Sequence, residues 1–234
     1  VTLVEICVED PAEIALARAG GAQRVEFCRE VSCGGLTPSD EAVAAALEVA
    51  PAGGLQILVR TRPGDFIHSA EEIAAICADV ERLHRLTENA SVPVGFVVGV
   101  LRKDLTIHED AAARMREAAG ERPLTFHRAF DQVPDISSSL ETLIRLGYDR
   151  VLTTGGHPSV AQYDVLSRMV SQVGEELIIL GSGGLRAHNV ARAITAAGLS
   201  EVHMRAPGHE GRGTDQQLVA EIMSQVRQAT ALRG

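Results

Sequence analysis

The chain is nearly without lysine: Lys103 is the one member of its 22 basic residues that is not arginine. Schiff-base chemistry needs a desolvated amine in the site. Lys103 sits in the polar stretch 101–104, where lysine is normally solvated, so lysine-dependent aldolase chemistry is disfavoured. Cysteine is also sparse: Cys7, Cys28, Cys33 and Cys77 are too few for a disulfide scaffold. Aromatic residues make up 3% of the chain, basic tracts are absent and the net charge is -9, which argues against nucleic acid and anionic membrane surfaces as partners. No apolar run approaches 18 residues and no signal sequence with an apolar core is visible. The expectation is a cytoplasmic, soluble protein with reduced thiols. A Gly-x-Gly-x-x-Gly turn is missing after the first strand, where Val8-Glu9-Asp10-Pro11 stands instead, which disfavours an open dinucleotide-binding sheet.

What is present is a regular alternation of strand and helix. Strict alternation over residues 3–8 marks the first strand, and Asp10-Pro11 opens a helix that Gly20-Gly21 ends. Strands are expected at 24–28, 55–60, 94–100, 124–127, 150–153, 177–180 and 201–204. The helices between them are expected to reach about residue 50, to fill 109–119, 137–146 and 159–173, and to end near 196, with 214–231 closing the chain. Ser69 and Glu72 have capping-box spacing for a helix to residue 86. Eight such units without a composition break imply a parallel sheet with right-handed crossovers, closed into a single α/β (β/α)8 TIM-type barrel domain over residues 1–234. Its functional face is then the C-terminal end of the strands.

In such a barrel the apolar strand parity faces the helices and the other parity points inward. That sends in Glu5 and Cys7, then Arg24, Glu26 and Cys28, then Gln56, Leu58 and Arg60, then Thr125 and His127, and finally Glu201, His203 and Arg205. Barrel interiors are normally aliphatic, and buried charge must be paired or hydrated. One reading is a structural network in which Arg24, Arg60 and Arg205 neutralise Glu5, Glu26 and Glu201. The other is a polar pocket at the strand ends. Within the pocket reading, Glu5, Glu26, His127 and Glu201, with His203, could serve as acid and base on a small sugar-like or phosphorylated molecule, or hold a divalent metal. The strand ends at Gly155, Gly156, Gly183 and Gly184 offer backbone N–H groups where barrels often grip anions, and Arg60, Arg62 and Arg128 add positive charge at the same rim. The loop 206–213 is read as a lid or mobile connector, and His68, His84, His108, His157 and His188 as surface residues.

Several segments together resemble the CutC copper-homeostasis family: Leu3-Val4-Glu5-Ile6-Cys7-Val8, Arg24-Val25-Glu26-Phe27-Cys28, Gly34-Gly35-Leu36-Thr37-Pro38-Ser39, Gly64-Asp65-Phe66, Thr125-Phe126-His127-Arg128-Ala129-Phe130-Asp131 and Glu201-Val202-His203. They run in order from the first strand to the last. The resemblance implies a TIM-type barrel, a role in copper handling, and Cu(I) held by cysteines corresponding to Cys7 and Cys28. Cu(I) is soft and suits thiolates, and His203 or Cys33 could be a third donor. The arginine loop departs from the family, reading Arg60-Thr61-Arg62-Pro63-Gly64 where Arg-Pro-Arg-Gly-Gly is commoner. The expected partner is a metal ion or small-molecule ligand, with self-association into a homo-oligomer left open.

Overall fold

A computed structural model describes residues 2–208 and 211–231. Eight parallel strands close into a barrel in sequence order, the first hydrogen-bonded to the last. They are β1 (Leu3–Val8), β2 (Arg24–Phe27), β3 (Leu55–Leu58), β4 (Val94–Val98), β5 (Leu124–Phe126), β6 (Arg150–Thr153), β7 (Ile178–Gly181) and β8 (Glu201–Met204). The helices that follow them are α1 (Pro11–Ala19), α2 (Asp40–Val49), α3 (Ala70–Leu86), α4 (Glu109–Ala119), α5 (Ile136–Arg145), α6 (Tyr163–Val173), α7 (Ala187–Ala197) and α8 (Gln216–Ala231). The expected (β/α)8 architecture is therefore the one observed. No described helix is long and apolar enough to cross a membrane.

The helix starts follow from local chemistry. Asp10 accepts from the Ala12 N–H with Pro11 in the first turn, and Ser69 and Glu72 complete a reciprocal capping box. Two starts differ from the sequence reading. α6 begins at Tyr163 rather than residue 159, because His157 Nδ1 accepts the N–H groups of Ser159 and Val160 and so satisfies them outside a helix. α8 begins at Gln216, with Asp215 accepting from Gln217 and Leu218, while Thr214 donates its hydroxyl to Glu13 instead. In the 206–213 loop, Gly208 donates its N–H to Arg212 O and Asp215 N donates to Ala206 O. His209 and Glu210 lie outside the described residues.

The apolar core is the layer between strands and helices, where Val4, Ile6, Val25, Phe27, Ile57, Phe96, Phe126 and Val202 are fully buried. The inward parity is polar, as the alternation in the first two strands and the last predicts. Strand register then sets neighbours: Glu5 lies opposite Arg24 on one side and His203 on the other, and Cys7 lies opposite Glu26. The interior is thereby sorted into a charged floor and a mixed upper layer that opens at the strand C-termini.

Candidate metal and ligand site

On the floor, Arg24 Nε donates to Glu5 Oε2 at 2.5 Å, and its Nη2 reaches Glu201. Arg150 Nε donates to the same Glu201 carboxylate at 2.9 Å. Burial raises the Glu5 pKa, but Arg24 and His203 outweigh it and bring it down to about 2. The ion-pair expectation needs correcting in its partners. Arg60 and Arg205 do not neutralise this layer: Arg60 binds backbone carbonyls, and Arg205 pairs with Glu9 at 3.7 Å. Arg150 supplies the second guanidinium. Its place at the start of β6, on the parity of Leu152, was the available signal.

Above the floor, His203 Nδ1 contacts Glu5 Oε1 at 2.8 Å and Nε2 lies 3.6 Å from Glu26 Oε2. Burial lowers the imidazole pKa, but Glu26, Cys7 and Glu5 together hold it well above the ordinary value. Glu26 is raised by burial despite His203. Cys7 Sγ is 3.9 Å from Cys28 Sγ, and its thiol is pushed well up by that contact, by burial and by Glu26. Donor atoms of Cys7, Glu26 and His203 all lie within 4.8 Å of one another, the one such His/Cys/Asp/Glu group among the described residues. Cys28 borders it through Cys7. Cys33 stands at the cavity edge, its thiol donating to Glu30 O at 3.1 Å. Glu26 therefore sits with the metal-capable side chains, although sequence reasoning grouped it with the acid–base set.

An imidazolium between two carboxylates predicts a pH signature. With a folded pKa raised above 6.5, the His203 contribution to stability is fully present below that value and is lost as pH rises through the folded pKa. Urea unfolding followed from pH 6 upward is expected to show the parent losing stability more steeply than a His203→Gln variant. Parallel curves would refute the assignment.

The upper layer lines a cavity of about 610 Å³. The Gly34-Gly35-Leu36-Thr37 segment builds one wall. Gly35 has φ +85°, and a Cβ there would lie 2.5 Å from Leu58 and 3.3 Å from Cys28 Sγ, so only glycine lets this loop press onto the thiol. Thr37 brackets the Arg60 backbone by accepting its N–H and donating to its carbonyl. Arg60 Nη1 then donates to Cys33 O and Gly35 O, and Nη2 donates to Gly64 O at 2.7 Å. Phe66 lies under the Arg60 guanidinium at 5.0 Å and against the His127 ring at 4.8 Å. His127 Nδ1 accepts from Ala129 N, which leaves the ring proton on Nε2. Burial and Arg60 lower its pKa to about 3, so the ring is neutral.

The remaining expected residues lie elsewhere. Glu5 and Glu201 do not line the cavity, and neither do Arg62, Gly155, Gly156, Gly183 and Gly184. Arg62 is turned outward to Glu72 and Asp65. Arg128 lines the rim and is tied to Asp131 at 2.8 Å. The glycine-rich end of β6 does bind an anion, but an internal one. Asp131 Oδ1 accepts from the Thr153 hydroxyl, Thr154 N and Gly156 N, while Gly155 N turns to Thr153. Sequence reasoning missed this role of Asp131. At β7, Gly183 is packed so closely on Ala161 N that a Cβ would approach to 2.6 Å. His68 is buried rather than on the surface, with Nδ1 3.4 Å from Glu72 Oε2, and burial lowers its pKa. His84, His108 and His157 are half-buried and His188 is exposed.

Comparison with known proteins adds identity to this geometry. The sequence model of the CutC family matches residues 2–208. A CutC family protein from Mesorhizobium japonicum is 42% identical over 205 residues, covering 87% of this chain and 77% of that protein. The human copper homeostasis protein cutC homolog is 34% identical over 205 residues, covering 87% of this chain and 73% of the relative. A solved structure from Streptococcus agalactiae, named for the copper homeostasis protein CutC, superposes with a TM-score of 0.77 at 26% identity, covering 87% of this chain and 98% of that one. Phosphoribosyl anthranilate isomerase from Thermococcus kodakaraensis, at 18% identity and a TM-score of 0.60 over 97% and 99% of the two chains, shares the fold alone.

Proposed function

We propose, from the premise that this chain belongs to the CutC family, that it takes part in copper handling by binding Cu(I) among Cys7, Cys28 and His203 at the C-terminal face of the barrel. The observation that carries this is the 3.9 Å separation of the two sulfurs beside an imidazole and a carboxylate. Metal–thiolate bonds near 2.3 Å would span roughly 4.6 Å if linear, so a shorter separation suits a bent pair completed by a third donor. His203 is that donor, and Glu26 stands near it as a carboxylate partner. Two sulfurs and one nitrogen are a soft set, which fits Cu(I) better than a hard divalent ion. The human and streptococcal relatives are themselves named for copper homeostasis.

Metal entry requires protons to leave. Each ligand must bind in its deprotonated form, and Cys7 and His203 both hold their protons to higher pH than usual, so affinity is expected to rise with pH. The decisive measurement is a competitive Cu(I) titration of the reduced protein beside a Cys7→Ser/Cys28→Ser variant whose fold is checked by circular dichroism. One strong site, lost in the variant, is the expected result. Equal weak binding by both would sink the reading.

The cavity volume favours one second reading, acid–base chemistry on a small organic molecule. Of the five residues considered for it, Glu26, His127 and His203 line the cavity. Glu5 and Glu201 are held in floor ion pairs, which leaves them supporting roles at most.

A further inference from the structure

We infer that the cavity is also a binding site for a small organic carboxylate, anchored by the buried Arg60 guanidinium, which the loop of Cys33, Gly34 and Gly35 holds in the cavity wall. The inference stands on Arg60 and not on the metal reading.

Four cationic side chains line this cavity, and three have a carboxylate within reach. Arg128 has Asp131, Arg205 has Glu9, and His203 has Glu5 and Glu26. Arg60 makes no ion pair among the described residues, although it is only 4% exposed, and the carboxylate that acts on it from farther off, Asp65, is paired with Arg62. Its bonds go to three neutral carbonyls and its Nε is sealed from solvent without a partner, which leaves the second N–H of Nη2 as the donor a ligand would meet. A buried charge without a counter-ion is costly. Yet the chain commits Gly34, Gly35, Thr37, Gly64 and Phe66 to holding this one in place. A structural arginine would be cheaper with a carboxylate beside it, as Arg24 has. A guanidinium fixed in advance and left without an anion is what a site for an anionic ligand requires.

The neighbours narrow the class. His127, against the same Phe66 ring, presents a neutral Nε2–H that no described residue accepts. One neutral donor beside one guanidinium matches the two oxygens of a carboxylate. The usual phosphate seat in this fold is the loops after β7 and β8, yet neither Gly183 nor Gly184 lines this cavity, and the N–H cradle at the end of β6 is filled by Asp131. Leu58, Phe66 and Leu152 give the cavity apolar walls, and its volume is that of an organic ligand rather than a bare ion.

The test is calorimetric titration of the metal-free, reduced protein with acetate, lactate, benzoate and citrate. Acetamide, lactamide, benzamide and inorganic phosphate serve as counterparts. At least one carboxylate is expected to bind, with its amide weaker by about tenfold or more, and Arg60→Gln should lose the same factor. Arg60→Gln could instead unfold; the acid-against-amide comparison on the unaltered chain then decides alone. Absence of binding by every carboxylate, equal binding of acid and amide, preference for phosphate, or undiminished binding by a folded Arg60→Gln would each overturn the inference. Carboxylate binding without a Cu(I) site would sink the metal reading alone, and the converse would sink this one alone.

Discussion

Arg24→Ala is expected to lower stability by roughly 3–5 kcal/mol at pH 7, the usual cost of removing one partner from a buried ion pair. Arg24 is 2% exposed and serves Glu5 and Glu201 at once, so its loss leaves two buried carboxylates competing for His203 and Arg150. The deficit should depend on acidity in a definite direction. Glu5 has a folded pKa of about 2 against an ordinary 4.5. Its pairing therefore stabilises the parent fully above pH 4.5, and that benefit is lost as pH falls through about 2. Urea unfolding of parent and variant should accordingly differ most near neutrality and converge over the acid range. A companion variant, Arg24→Met and Arg150→Met with Glu5→Gln and Glu201→Gln, removes both guanidiniums together with the carboxylates they serve and should recover much of the loss. A variant deficit that stays constant down to pH 2 would show that Arg24 acts through packing instead.

Asp131→Ala should cost about 2–4 kcal/mol, because it strips a charged acceptor from three donors and releases Arg128. The same substitution reopens an anion cradle at the end of β6. Formate or acetate added to the variant should restore part of the thermal midpoint, and by more than it raises that of the parent. Asp131→Asn is the informative control. It keeps an acceptor oxygen for the Thr153 hydroxyl and Thr154 N but loses the charge that holds Arg128. Rescue of parent and Asp131→Ala to the same extent would refute the internal-anion assignment.

Much of this arrangement was legible in residue order, for a physical reason. Side-chain parity along a strand has period two and needs only neighbours in the chain, so the inward course of Glu5, Cys7, Glu26 and His203 could be read directly. Helix caps at Asp10 and Ser69 are likewise local. Pairing across the barrel is not local. Which cation meets Glu201 depends on the stagger of β6 and β8 around a closed sheet, which parity leaves open, so the sequence reading counts Arg60 and Arg205 in the network and omits Arg150. The glycine ends failed as an anion site for a related reason. Their N–H groups were correctly seen as available in the strand-to-helix turns, but the residue that takes them, Asp131, arrives from the previous strand's loop. The burial of His68 likewise has no periodic signal, since the loop that carries it is tied to the start of α3 by contacts of Arg62 and His68 with Glu72.

The floor contacts also join end to end: Arg150 to Glu201, Glu201 to Arg24, Arg24 to Glu5, Glu5 to His203, His203 to Glu26. Each inner member is held by two neighbours of opposite sign, so the effect of changing any one is set by what stands beside it. Inheritance of these positions must therefore be collective. A lineage drifting toward an aliphatic barrel interior would find the inner members hardest to replace singly, since removing one leaves the charges on both sides short of a partner. The arrangement would persist through long divergence whatever the cavity above it comes to hold.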